Sequence, residues 1–176
     1  KRDSYVEFVC DWEGMYSTLS REKFRILLAG RHYLDTFYYG FNYSMFHYAG
    51  QQGAPIENVV DLQLLNPCVG VRFNAFFDFD IKLGALLTVQ RDRSFGHSWE
   101  KPCMGEFAFR ISRWGLSLDE RLYVGDNIHP FFYGHELEDG TPLPYGRELY
   151  PAESFFRTDQ KVYSRTALSY RRSFFD

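Results

Sequence analysis

The feature that most constrains this chain is a two-residue rhythm of apolar and polar side chains. In Asp80–Gln90, Ile81, Leu83, Ala85, Leu87 and Val89 fall on one side, and Asp80, Lys82, Gly84, Thr88 and Gln90 on the other. Successive strand side chains point to opposite faces, so such a segment is a ribbon with one apolar and one wet side. The rhythm recurs along most of the 176 residues. A helix-period reading is excluded wherever it holds.

Eight strands are expected, over 5–16, 23–32, 37–48, 59–76, 79–91, 106–114, 116–125 and 161–172. The fourth changes parity. Val60, Leu62 and Leu64 share one side, while Val69, Val71, Phe73 and Ala75 share the other, and Asn66-Pro67 lies between them. Proline cannot donate to a ladder, so a bulge or break is expected there. The links at Tyr33–Thr36, Phe77-Asp78 and Trp114-Gly115 are short. Those at Ala49–Asn58, Asp92–Gly105 and Asp126–Gln160 are long. Aromatics cluster at the short links: Tyr33, Phe37 and Tyr38, then Phe76, Phe77 and Phe79, then Trp114, with Phe174 and Phe175 after the last strand.

No apolar run approaches the roughly 18 residues of a membrane helix, but a membrane strand needs only about 9–11 alternating residues. Short turns at one end, long loops at the other and rings at a common depth are the pattern of a membrane barrel. In that pattern the chain resembles bacterial outer-membrane β-barrel proteins. The resemblance implies an all-β fold: an antiparallel up-and-down transmembrane barrel, with about eight strands seen and room for more. It implies one domain over 1–176, an aromatic-rich loop at 126–160, and a location in the bacterial outer membrane.

On this reading Phe8, Trp12, Ile26, Tyr39, Val71, Phe73, Ile81, Leu83, Leu87, Phe107 and Phe109 face lipid. The lumen is lined by Glu7, Asp11, Glu13, Arg25, Arg31, Arg72, Lys82, Glu106, Arg110, Arg121 and Arg165, with Lys23, Asp80, Asp119 and Arg171 on the same side. In a narrow lumen these charges are expected to pair as a salt-bridged plug.

The function expected is structural or interactive, in an envelope assembly, or that of a narrow porin. The partners are outer-membrane lipid and other envelope proteins met through the 126–160 loop. A net charge of −3 without a basic tract points away from nucleic acid. The first alternative is a soluble β-barrel or sandwich binding an apolar ligand, with the facing reversed.

The second alternative is enzymatic. Phe41–Gly50 loosely resembles the lipid A deacylases, whose outward His and Ser lie two residues apart. His47 has the outward parity, but Ala49 stands two residues on, and Ser44 has the opposite parity. A histidine without a hydroxyl to activate performs no acyl transfer by this route. No catalytic residue beyond this weak candidate is expected, and neither a cofactor nor a metal. His129 and His135, six apart beside Glu136, Glu138 and Asp139, fit no standard metal spacing. Cys10, Cys68 and Cys103 share no such spacing either, and their odd count argues against a disulfide framework.

Overall fold

The computed structural model describes residues 4–53, 59–93, 98–128 and 160–171. These form one antiparallel sheet of eight strands in sequence order. The strands are β1 (Tyr5–Gly14), β2 (Lys23–Leu34), β3 (Phe37–Tyr48), β4 (Val60–Asn74), β5 (Asp78–Asp92), β6 (Cys103–Arg113), β7 (Leu116–Gly125) and β8 (Val162–Tyr170). Every neighbour in space is a neighbour in sequence, as in an up-and-down meander. The fold class is therefore the one the alternation implies.

The barrel, however, is not closed. Among the described residues β1 pairs only with β2, and β8 only with β7. Among these residues the outer edges of β1 and β8 are unpaired, and nearly every residue of both strands is exposed.

The expected irregularity at Asn66-Pro67 is absent. Leu65 lies opposite Leu87 and Cys68 opposite Gly84, so β4 passes proline without gaining or losing a residue. Pro67 brings no N–H to the ladder, but Asn66 Nδ2 donates to the carbonyl of Ala85 at 2.9 Å. A side-chain donor beside the proline lets the strand continue where proline normally interrupts it. The change of parity is a change of content: Val60, Leu62 and Leu64 point to the inner face and are buried. The register shift falls instead between Trp12 and Gly14 of β1.

The short turns lie at one end. Trp114 and Gly115 both have positive φ, 52° and 81°, the two-residue primed turn whose twist suits a hairpin. At this end Arg113 lies 3.2 Å from the centroid of the Phe76 ring and 4.2 Å from that of Trp114. Tyr38 is no part of an exposed girdle, being 3 % exposed on the inner face. Phe174 and Phe175 fall outside the described residues.

The inner face is not uniformly polar. Its half nearest the long loops holds a cluster of Phe46, Tyr48, Val60, Leu62, Leu64, Leu86, Met104, Tyr123 and Ile128, with Tyr163 against it. Ile128 opens the long β7–β8 connection and is 2 % exposed. Its carbonyl accepts from Gln90 Nε2 at 2.7 Å, which ties the start of that loop to the concave side.

Candidate functional site: two faces of one sheet

The pairing register assigns each side chain to a face. Phe8 lies opposite Leu28, and Leu28 opposite Tyr43. Tyr39 lies opposite Val69, which lies opposite Leu83, and Leu83 opposite Phe107. Val71, Ile81 and Phe109 form a second row, and Phe73 and Phe79 stack at 4.9 Å in a third. All eleven residues expected to face lipid share this outward side. Seven are exposed, and Ile26, Val71, Ile81 and Phe109 are screened by neighbours on the same face.

The other side gathers the residues expected to line a lumen, and three pairs form across its centre. Lys82 Nζ lies 2.6 Å from Glu106 Oε1. Arg72 is paired with Asp80. Arg110 Nε lies 3.7 Å from Asp119 Oδ1, in a looser and more exposed arrangement. Towards the long loops, Arg25 Nη2 donates to Glu13 Oε1 at 3.2 Å. Arg31 lies 4.8 Å from the Tyr38 ring centroid. Glu7, Asp11, Arg121 and Arg165 share the inner face but stand exposed near those unpaired edges.

Two glycines make the central network possible. A Cβ at Gly84 would meet Glu106 Oε2 at 2.8 Å and Asn66 Nδ2 at 3.2 Å. Without one, Asn66 on β4 reaches across β5 to Glu106 on β6, at 3.0 Å. Tyr123 on β7 adds a hydroxyl donor to Glu106 Oε1 at 3.3 Å. Glu106 is 4 % exposed. It thus receives an ammonium, an amide and a phenol, the partners a buried carboxylate requires. At Gly70 a Cβ would overlap the Tyr38 ring. The ring lies over that glycine and donates from its hydroxyl to Asp80 Oδ1 at 2.7 Å.

Composition and parity place Tyr38 among the aromatics of the short links and Asn66 at a change of parity, but assign neither of them, nor Tyr123, to an inner polar network. The available signal was a polar or glycine residue at matching inner positions of adjacent strands, which becomes legible only with the register. Below this network, towards the short turns, the concave side opens into a cavity of about 970 Å³. Tyr33, Asp35, Arg72, Asp78, Asp80 and Arg110 are among its lining residues.

His47 lies on the outward face at the long-loop rim. Its Nδ1 is 3.1 Å from Asp61 Oδ1, and Asp61 Oδ2 accepts from Arg93 Nε at 2.6 Å. The His47 ring packs on Phe24 at 4.9 Å, and Phe24 stacks on Trp12 at 5.1 Å. Ser44 lies on the other face, opposite Leu64 and Leu27. His47 is therefore oriented by a carboxylate and a ring, with no hydroxyl among its contacts in the described residues. Among the described residues that arrangement orients the imidazole and offers it no hydroxyl to activate. His129 and His135, with their acidic neighbours, lie outside the described residues.

No protein-family model matches this chain, and no curated protein or solved structure matches it to a significant degree.

Proposed function

We propose that the sheet is the wall of a bacterial outer-membrane β-barrel, with its apolar side in lipid and its charged side in the lumen. One observation carries this reading: exposure is inverted relative to a soluble protein. Leu83, Val69, Phe8 and Phe37 are 57 %, 58 %, 65 % and 63 % exposed, whereas Glu106 and Asp92 are 4 % and 0 % exposed. Soluble monomers rarely show a contiguous apolar surface of this extent, and hydrocarbon is the solvent that would stabilise it. In lipid backbone polar groups must be satisfied, and each interior strand of the meander is paired with a neighbour on both sides.

The role that fits is structural or pore-forming. The inner face offers paired charges, a polar cavity at one end and a packed apolar layer at the other. A soluble barrel holding an apolar ligand would need the greasy band inside. The apolar cluster that does lie inside is occupied by the chain's own residues, including Ile128.

Detergent extraction and heat-modifiable gel migration test the reading. A membrane barrel requires detergent and migrates differently before and after boiling. Quenching of Trp12 and Trp114 fluorescence by brominated acyl chains tests the facing directly. A protein monodisperse in plain buffer, with tryptophans indifferent to lipid, would overturn it.

A further inference from the structure

Arg113 ends β6 on the outward side of the sheet, with the same parity as Phe107, Phe109 and Ile111. Leu116 lies opposite it across the turn. A cation here stands on the face that otherwise carries apolar side chains. Its guanidinium lies against the rings of two turns, 3.2 Å from the Phe76 centroid and 4.2 Å from that of Trp114. Those rings meet edge to face at 6.2 Å, and both are exposed. Among the described residues no carboxylate pairs with Arg113, and its Nη1 is buried without a hydrogen-bond partner. The acids of this end are engaged elsewhere. Asp78 and Asp80 line the concave cavity, and Glu120, outward on β7, accepts from the hydroxyls of Ser164 and Thr166. The rings have displaced part of the water around the cation without supplying an anion, which favours a charged acceptor brought from outside.

We propose that Arg113 binds the phosphate diester of a phospholipid headgroup, with Phe76 and Trp114 fixing the plane of the guanidinium. The proposal rests on the membrane reading, which puts the outward face in hydrocarbon and the strand ends among the headgroups. β6 is 11 residues long, about the span of a tilted membrane strand. Its last residue therefore falls where lipid phosphates lie, the depth at which aromatic side chains also belong. A guanidinium offers parallel N–H donors that match two oxygens of one phosphate. Stacking on the rings covers its faces and leaves the edge of the fork to receive them, and Arg113 is half-buried rather than enclosed. Phosphate from the water phase would suit the same fork, but the rings beside it would then stand in water. Acyl chains below a headgroup cover them.

The whole chain, purified in detergent, is titrated with phosphatidylglycerol, with a galactosyl diacylglycerol of the same acyl chains, and with inorganic phosphate. Bound adducts are counted by native mass spectrometry. The expected result is retention of phosphatidylglycerol over the galactolipid. Arg113→Gln should weaken that retention by about tenfold, the worth of one charge-assisted hydrogen bond. Arg113→Lys keeps the charge without the fork and should fall between. Arg165→Gln, on the inner face, should leave retention unchanged. Equal retention of the two lipids by the parent, or of phosphatidylglycerol by the parent and Arg113→Gln, overturns the proposal. Displacement of the lipid by inorganic phosphate assigns the fork to a free anion and overturns it as well. If Arg113→Gln lacks the heat-modifiable migration of a folded barrel, Arg113→Lys and Phe76→Leu carry the comparison, and parental retention in both is equally fatal. A protein that requires detergent yet shows no lipid preference defeats this site alone. One that is monodisperse in plain buffer defeats the membrane reading beneath it.

Discussion

Asn66 and Glu106 belong to strands that are not neighbours, yet the Asn66 amide donates to the Glu106 carboxylate at 3.0 Å across the intervening β5. The contact exists because residue 84 is glycine. Gly84→Val would place carbon where Glu106 Oε2 and Asn66 Nδ2 now meet. We expect it to cost about 1–3 kcal/mol, the usual range for overpacking, with added loss from the broken hydrogen bond. Ala85→Val, one residue along on the outward face, should be near neutral. Denaturant unfolding in lipid vesicles measures both. Equal stability of the two variants would show that the bridge over β5 contributes nothing.

Glu106 and Lys82 are nearly enclosed, with side chains 2 % and 16 % exposed. Removing one partner strands the other. Glu106→Leu should therefore destabilise by about 3–5 kcal/mol, while the double variant Glu106→Leu/Lys82→Met should recover most of the loss. Lys82→Gln keeps a donor towards Glu106 and should be milder than Lys82→Met. The folded fraction on unboiled gels across urea gives the ranking. A double variant no better than Glu106→Leu would contradict the assignment.

The outward face predicts a different sensitivity. With the outward face in lipid, as proposed, Leu83→Arg and Leu87→Arg should each cost about 2–4 kcal/mol near the midplane. Leu83→Phe should be tolerated. Refolding yield into vesicles separates these variants. A wild-type yield for both arginine variants would mean that this face meets water.

Gly70 and Tyr38 predict an asymmetric pair. Gly70→Ala would drive a methyl into the Tyr38 ring and detach its hydroxyl from Asp80. Tyr38→Phe removes only the hydroxyl and should cost about 0.5–1.5 kcal/mol. Gly70→Ala should cost more, and adding Tyr38→Ser to it should relieve part of the damage. Urea midpoints of the three variants measure this coupling.

The ribbons were legible early because alternation is a local property. Phe37–Tyr48 and Leu116–Gly125 coincide with the expected segments, and the strands around Ile81 and Phe107 differ by a few residues at their ends. Pro67 misled for an equally physical reason. A sequence shows the missing N–H but not that the side chain of Asn66 supplies a donor in its vicinity. The inner apolar cluster was hidden because Leu62, Leu86 and Met104 lie far apart in the chain and share a layer only once the register is fixed.

The amino-acid sequence by itself determined that this protein is a set of antiparallel ribbons, because side-chain period and turn chemistry act over a few residues. It also separated the apolar set around Leu83 from the charged set around Lys82, since parity within a strand needs no partner. Only the tertiary structure decided that Glu106 takes Lys82, Asn66 and Tyr123, and that Tyr38 lies over Gly70. Those outcomes depend on register and curvature, which are set by pairing between strands rather than by the pattern within one.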